Sequence, residues 1–281
     1  MICQWQCFLN IIPQWMRAEV DMLGRDTLQD LRLRINAPPE LRLNNGTVRL
    51  RQNATIGDLL YIINTATKYS PWIGKSAEKG YITAPGGHRI GLCGSTSGSS
   101  GYLLSSYGIT SVCIRVSRDF PGIAEGVPAR KSLLIIGKPG SGKTTLLRDI
   151  IRYRSNIAHE NISVVDEREE VFPRCEGKFC FATGNCTDVL SGCSKSVGLE
   201  MVLRTMGPDT VAIDEITAAE DCKALLTAGW CGVFLLATAH AGSKDDLLGR
   251  PIYKPIVESG LFDKLIILRE DKTWFLEGLC V

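Results

Sequence analysis

The chain has 281 residues, enough for one large or two modest domains, and a formal net charge of +2 at pH 7. Its 44% hydrophobic and 22% charged residues are ordinary for a soluble globular protein. The small net charge does not by itself predict a nucleic-acid or membrane partner. The sequence shows neither a signal peptide nor an apolar run approaching the ~18 residues of a membrane span. We therefore expect a cytoplasmic protein that reaches a membrane only through protein partners.

The first 127 residues predict a small α+β domain. Residues 1–27 are expected to be helical with a boundary at Pro13, and alternating apolar residues predict strands near 31–35 and 41–43. Asn45-Gly46 predicts a hairpin turn, and Thr55 with Asp58 predicts the capped start of a helix. Further elements are expected as a helix at 70–78, a hairpin turning at residues 85–87, and a strand at 112–116. A linker is expected at 119–128.

His88 belongs to the second predicted hairpin, next to its turn. We expect a surface turn residue at this position, and anion binding is the less common alternative. Residues 1–127 carry a net charge of +4 and residues 128–281 one of −2. That asymmetry is mild and is usual for a solvated surface.

From residue 128 to 281 the pattern predicts an α/β domain. Continuous apolar strands alternate with helical segments, which is typical of a parallel sheet covered on both faces. The predicted strands lie at residues 133–136, 162–165, 211–213, 233–237 and 265–268.

A glycine-rich loop follows the first of these strands. Gly137 to Thr144 matches G-x-x-x-x-G-K-[ST], the phosphate-binding loop, in which glycines let backbone N–H groups surround an anion. Lys143 is expected to contact the β- and γ-phosphates of ATP, and the Thr144 hydroxyl is placed for Mg²⁺. The predicted nucleotide-binding residues are Gly137, Lys138, Pro139, Gly140, Ser141, Gly142, Lys143, Thr144 and Thr145.

Polar residues follow three other predicted strands. Asp214 is expected to hold the Mg²⁺ shell, and Glu215 to polarise the water that attacks the γ-phosphate. Thr238 and His240 follow the next strand, within reach of the γ-phosphate. The cluster at residues 166–170 is left open: Glu167 and Glu170 could orient water or metal and Arg168 could reach a phosphate, or the cluster could be a solvated loop.

Several longer segments resemble the stage III sporulation protein AA family. They are GYITAPGGHRIGLCG, SVCIRVSR, VVDERE, TDVLSGCSKSVGLEMVLRTMGPDTVAIDE and LLATAHAG. The resemblance covers nearly the whole chain from Leu31. It implies a Mg²⁺-dependent ATPase with a RecA-like P-loop domain, related to type II and type IV secretion motors, behind a smaller domain. It also implies a homo-oligomeric ring, expected to be a hexamer, that serves the channel between mother cell and forespore through membrane-embedded components.

The resemblance also assigns individual residues. LRTMGPD is similar to a secretion-motor segment and marks Arg204 as a nucleotide-site or intersubunit arginine. ATAH is similar to the histidine box of those motors and supports His240, while VVDERE corresponds to their acidic box and supports Glu167. The arginine that follows their Walker B glutamate is absent here. A replacement could come from a neighbouring subunit, and the candidates are Arg89, Arg115, Arg118, Arg168 and Arg204.

Alternative interpretations remain. Residues 190–194, LSGCS, superficially resemble the ABC-transporter signature, but the spacing from Lys143 is too short for the helical subdomain of those ATPases. A nucleic-acid motor is disfavoured because no strong basic stripe with aromatics is present, so no nucleic-acid partner is expected. A nucleotide-switched scaffold with little turnover is the third alternative. A zinc site at Cys175, Cys180, Cys186 and Cys193 is a minor one, because these cysteines form no C-x-x-C pair.

Overall fold

The computed structural model describes residues 1–68, 80–97, 102–103, 108–175 and 177–279. These residues form two compact units. The first comprises Met1–Asp119 and Arg174–Cys180, and the second comprises Phe120–Pro173 and Phe181–Val281. The expected linker residues from Phe120 onward therefore lie in the second unit. The predicted domains 1–127 and 128–281 remain a prediction.

Helices and a six-stranded antiparallel sheet build the first unit. The strand order in this sheet is β3-β2-β1-β8-β5-β4, and β6 and β7 pair separately. The elements are α1 (Trp5–Ile11), α2 (Gln14–Leu23), β1 (Leu28–Arg34), β2 (Glu40–Leu43), β3 (Gly46–Arg49), α3 (Ile56–Thr67), β4 (Tyr81–Thr83), β5 (Arg89–Gly94), β6 (Thr96–Ser97), β7 (Tyr102–Leu103) and β8 (Ile109–Arg115).

Local sequence signals explain several of these elements. The predicted hairpin between β2 and β3 is present, but its turn residues are Asn44 and Asn45 instead of Asn45 and Gly46, because Gly46 already pairs with Leu43 as the first residue of β3. Thr55 and Asp58 form a reciprocal capping box at the start of α3, also as predicted, because each side chain accepts a hydrogen bond from the other's backbone N–H. The second predicted hairpin is confirmed as β4 and β5. The helix predicted at residues 70–78 lies outside the described residues.

One face of this sheet is buried, and the opposite face carries exposed side chains among the described residues. Apolar residues of β1, β2, β5 and β8 pack with Phe8, Ile12 and Met16 in one buried core. The alternate positions point away from that core, because successive side chains on a strand face opposite sides. Exposed arginines occupy several of these alternate positions: Arg32, Arg34, Arg42 and Arg115.

His88 is a correction to the sequence analysis, because it is completely buried instead of lying at the surface. Its Nδ1 accepts a 3.1 Å hydrogen bond from the Ser117 N–H, and its Nε2 donates one of 3.1 Å to the Gln4 carbonyl. The imidazole ring also packs edge-on against Phe8. Both ring nitrogens are therefore used in holding the first unit together, and an anion-binding role is not supported.

The second unit is built on a mixed sheet of seven strands among the described residues. Their order is β13-β10-β14-β15-β9-β16-β17, with all neighbours parallel except β16 and β17. The elements of this part of the chain are β9 (Leu133–Gly137), α4 (Lys143–Tyr153), β10 (Ile162–Asp166), β11 (Arg174–Cys175), β12 (Lys178–Phe179), β13 (Thr187–Ser191), α5 (Lys195–Thr205), β14 (Thr210–Ile213), α6 (Ala219–Trp230), β15 (Phe234–His240), α7 (Lys244–Leu248), α8 (Lys254–Glu258), β16 (Lys264–Leu268) and β17 (Trp274–Gly278). The short hairpin β11–β12 belongs to the first unit.

The five strands predicted in this part of the chain are all present, as β9, β10, β14, β15 and β16. The two edge strands, β13 and β17, were not predicted. Both are only partly buried along their length, unlike the fully buried central strands. The LSGCS segment begins at the end of β13, which includes its Leu190 and Ser191.

Candidate functional site

The phosphate-binding loop connects β9 to α4, which is the strand–loop–helix context that its motif requires. Gly140 has φ 75° and Gly142 has φ 108°, backbone conformations that favour glycine. A side chain at Gly137 would bring its Cβ within 2.5 Å of the Ser141 Oγ atom. Space for a Cβ is open at Gly140, where none of the described atoms lies within 4 Å. The loop is therefore shaped for close approach of an anion to its backbone.

Lys143 begins helix α4 and its side chain folds back over the loop. The ammonium group donates to the carbonyl of Gly137 at 2.9 Å and to that of Lys138 at 3.1 Å. It also lies 3.0 Å from Nδ1 of His240. Burial lowers the pKa of Lys143, while the nearby carboxylates of Asp214 and Glu215 act in the opposite direction.

Asp214 follows β14 directly, and its carboxylate lies beside the phosphate-binding loop. The Thr144 hydroxyl donates to Oδ2 at 2.6 Å, and the Thr238 hydroxyl donates to Oδ1 at 2.6 Å. Burial raises the pKa of Asp214, these two hydrogen bonds oppose the rise, and the carboxylates of Glu170 and Glu215 add to it. The two side chains predicted to hold Mg²⁺ are thus in direct contact, on elements 70 residues apart in the chain.

Glu215 is held by two neighbours on β15. Its backbone N–H donates to the Thr238 hydroxyl at 2.7 Å, and its Oε1 lies 2.5 Å from Nε2 of His240. The residue has φ 54°, a conformation uncommon outside glycine and one that persists only where the surroundings hold it.

These contacts define the tautomer of His240. The Lys143 ammonium can only donate, so Nδ1 of the imidazole accepts and Nε2 carries the proton that it donates to Glu215. Lys143, His240 and Glu215 therefore form a continuous hydrogen-bonded chain across the site.

The acidic segment after β10 forms the other side of the site. Asp166 accepts hydrogen bonds from the backbone N–H groups of Glu170, Val171 and Phe172 at 2.8 to 3.0 Å. Burial raises the pKa of Asp166 to about 6, although these three hydrogen bonds oppose the rise. A pocket lies between this segment and the end of β14, and its lining residues are Val165, Asp166, Glu167, Arg168, Glu170, Lys195, Asp214 and Glu215.

Glu167 lies at this pocket and pairs with Lys195, whose Nζ is 3.1 Å from its Oε2. Lys195 was not singled out in the sequence. The available signal was its position: it is the first residue of α5, where the helix dipole disfavours a cation, so a basic residue there needs another partner.

Of the two predicted arginines in the second unit, one lies at the pocket and the other lies away from it. Arg168 is exposed and lines the pocket. Arg204 is near the opposite end of α5 from Lys195, about 14 Å away along the helix axis at 1.5 Å per residue. It is exposed and pairs with Glu200 at 2.7 Å. It does not join the Lys143–His240–Glu215 group within this chain, and its intersubunit role stays a prediction.

In the first unit, Arg89 stacks on the Tyr81 ring at 4.3 Å, whereas Arg115 is exposed on β8. Arg118 donates to the carbonyls of Arg25 and Leu28, so its guanidinium is engaged within that unit.

The predicted cysteine group is divided between the two units, with Cys175 and Cys180 in the first and Cys186 and Cys193 in the second. In the part of the chain that the structure describes, no group of three or more His, Cys, Asp or Glu side chains is arranged to hold a metal ion. No described helix is long and apolar enough to cross a bilayer.

Comparison with known proteins identifies the family. The sequence profile of "Sporulation stage III, protein AA" matches residues 9–276, nearly the whole chain. The chain belongs to the stage III sporulation protein AA family. It is 36% identical over 277 residues to the stage III sporulation protein AA of Bacillus subtilis strain 168, covering 94% of this chain and 90% of that protein. The resemblance found in the sequence is thereby confirmed.

Solved structures show that this family member shares the fold of the ATPase DotB and of the pilus retraction motor PilT. The ATPase DotB of Legionella pneumophila superposes with a TM-score of 0.58 at 17% identity, covering 94% of this chain and 79% of DotB. The pilus retraction motor PilT, in a structure with bound ADP, gives a TM-score of 0.62 at 17% identity, covering 90% of this chain and 76% of PilT. The mixed α/β architecture with a large, mainly parallel sheet is therefore confirmed.

Proposed function

We propose that this family member is a Mg²⁺-dependent ATPase that works as an assembly or motor ATPase in sporulation. The observation that carries the proposal is the 2.6 Å hydrogen bond from the Thr144 hydroxyl to Asp214. It brings the end of the phosphate-binding loop to the strand tip, and a hydroxyl and a carboxylate oxygen are ligands that Mg²⁺ prefers. The RecA-like strand order around β9 and the ATPase fold of the structural neighbours support the same conclusion.

The loop fits a bound triphosphate. Its glycines leave the backbone open at Gly140, and the Ser141 hydroxyl is buried without a hydrogen-bond partner among the described residues. Lys143 is the buried cation of the loop, and it is bonded to loop carbonyls that an anionic phosphate can replace as partner. Thr144 and Asp214 would hold the Mg²⁺ ion, which neutralises charge on phosphate oxygens.

The remaining chemistry is assigned to residues of the chain. The Glu215 carboxylate accepts a hydrogen bond from the attacking water and so aligns it. His240 Nε2 donates to Glu215 Oε1 and holds that carboxylate in place, while Nδ1 accepts a hydrogen bond from the Lys143 ammonium. Glu167 stands on the far side of the pocket as a second carboxylate that can orient water.

Ring formation is part of the proposal. A RecA-like domain leaves its nucleotide at an open edge, and ring ATPases complete the site with an arginine from a neighbouring subunit. The exposed Arg115 on the sheet of the first unit supports such a role, as does the exposed Arg204. A hexamer that serves membrane-embedded channel components in the mother cell is the assembly that the family suggests.

Steady-state phosphate release tests the catalytic proposal. Wild-type protein should hydrolyse Mg-ATP, whereas Glu215→Gln should bind a fluorescent ATP analogue normally and lose a factor of about 10²–10⁴ in kcat. Glu220→Gln is the matched control, since Glu220 is exposed on the first turn of α6. Tight binding without turnover in the wild type itself would favour the nucleotide-switched scaffold, and unchanged turnover in Glu215→Gln would move the catalytic role to Glu167 or Glu170.

A further inference from the structure

Lys195 is a buried cation that has no role in the proposed reaction as described above. It is the first residue of helix α5, and its side chain is only 7% exposed. Burying an ammonium group is costly unless charged or hydrogen-bonding partners surround it. The helix itself provides no such partner, because its N-terminal N–H groups also carry positive partial charge.

The partners of Lys195 come from two separate segments of the second unit. Its Nζ lies 3.1 Å from Glu167 Oε2, in the segment after β10. The same atom lies 3.6 Å from Asp221 Oδ2, in the first turn of α6, and 3.5 Å from the Thr217 hydroxyl, in the segment between β14 and α6. One ammonium group therefore connects the acidic segment to the turn that follows Glu215.

That turn depends on Asp221. Its Oδ2 accepts hydrogen bonds from the backbone N–H of Thr217 at 2.9 Å and from that of Ala218 at 3.1 Å. These residues begin two positions after Glu215, whose left-handed backbone conformation has to be held by its surroundings. A cation next to Asp221 keeps this acceptor in place and so contributes to the orientation of Glu215.

The position of α5 is itself constrained. Gly198 lies one helical turn after Lys195, and a Cβ there would come within 2.4 Å of Val165 Cγ1 on β10. Glycine at this position lets the helix approach the strand closely, which brings Lys195 to the level of Glu167.

We propose that Lys195 is a positioning residue for ATP hydrolysis, which fixes the Glu167 carboxylate on one side of the pocket and the turn after Glu215 on the other. This inference rests on the proposed ATPase function. It does not require Lys195 to contact the nucleotide, so its loss should affect the chemical step and leave nucleotide binding intact.

The first arm of the test is kinetic. Lys195→Met should lower kcat for ATP about 10- to 100-fold, as loss of an orienting partner does elsewhere, with KM changed less than about threefold. Lys223→Met is the matched control, because Lys223 is exposed on α6, and it should keep wild-type kinetics. Glu167→Gln should add little further loss in the Lys195→Met background, because the two side chains act as a pair. A multiplicative loss in the double variant, or a defect confined to KM, would overturn the proposal.

The second arm does not depend on turnover. Hydrogen exchange in the peptide covering Thr217 and Ala218 should become at least about tenfold faster in Lys195→Met, because the acceptor at Asp221 loses its anchor. Lys223→Met should leave this exchange at the wild-type rate. Unchanged protection in a folded Lys195→Met protein would refute the positioning role. If exchange is faster in Lys195→Met but the wild type does not hydrolyse ATP, the contact of Lys195 with the turn is supported and the ATPase function is rejected.

Discussion

His240 Nε2 lies 2.5 Å from Glu215 Oε1, so the second residue after β14 and the last residue of β15 are joined at one edge of the sheet. The other ring nitrogen of His240 lies 3.0 Å from the Lys143 ammonium. The imidazole therefore connects the side chain expected to bind phosphate with the side chain expected to polarise water. A change at the phosphate-binding loop can in this way reach the water-activating carboxylate through a single residue.

His240→Ala removes both of these contacts and should lower kcat by about tenfold or more, because Glu215 loses a positioning partner. Nucleotide affinity should change by less than about threefold, since the loop and Lys143 remain. His240→Gln retains one polar contact and should lose less. Phosphate-release kinetics together with titration of a fluorescent ATP analogue measure the two quantities separately. A variant that loses affinity but turns over normally once saturated would contradict this role.

Lys143→Ala should weaken ATP binding by about a hundredfold or more, because it removes the buried cation of the phosphate-binding loop. Equilibrium titration with a fluorescent ATP analogue measures the loss. Lys223→Ala, which removes an exposed lysine from α6 in the same unit, should bind as the wild type does. Equal affinity of Lys143→Ala and wild type would show that the nucleotide site has been placed wrongly.

Mixing experiments test whether an arginine acts across a subunit boundary. Lys143→Ala and either Arg115→Ala or Arg204→Ala should each be inactive alone, while mixed rings should recover part of the activity, because some interfaces then contain both groups. Both arginines are exposed, and so is the control Arg42, whose alanine variant should be active by itself.

Specific activity of the wild type should also rise with protein concentration as rings assemble. The same mixing with Lys143→Ala can be done with alanine variants of Arg89, Arg118 and Arg168. If no mixture with any of the five arginine variants recovers activity, and the specific activity of the wild type does not change on dilution, each subunit is self-sufficient.

His88 predicts a pH dependence of stability in the first unit. Burial lowers the pKa of His88 to about 4, so the folded imidazole stays neutral where the unfolded one, with a pKa near 6.5, takes up a proton. The contribution of the neutral His88 to the free energy of unfolding is complete above about pH 6.5 and falls as the pH decreases. At pH 4 the loss amounts to about 3 kcal/mol. Urea unfolding from pH 4 to 7 should show this loss in wild type and not in His88→Gln. Parallel curves for the two proteins would contradict the assignment.

Local signals in the sequence were sufficient for much of this structure. The capping box of Thr55 and Asp58 and the hairpin turn at residues 44–46 each depend on residues within a few positions of one another. The same holds for the phosphate-binding loop, whose glycines are needed by the backbone of the loop itself. The central strands were predictable because burial on both faces requires uninterrupted apolar residues.

Other features had no local signal. The edge strand β13 is only half-buried, and pairing with β10 decides that it is a strand. His88 follows a turn, and its burial depends on Gln4 and Phe8, more than 70 residues earlier in the chain. Residues Arg174–Cys180 belong to the first unit although both flanking segments belong to the second. No periodicity within that segment indicates which unit it joins.

By itself, the sequence determined the chemistry of the loop and the order of strands and helices, because glycine placement, apolar runs and helix caps act over short distances. Only the tertiary structure decided which polar side chains meet. Lys143 reaches His240 across 97 residues, and Lys195 reaches Glu167 across 28. Such contacts arise because the carboxyl ends of neighbouring parallel strands share one edge of the sheet, and the strand order that makes β9 and β15 neighbours is set by packing of the whole unit.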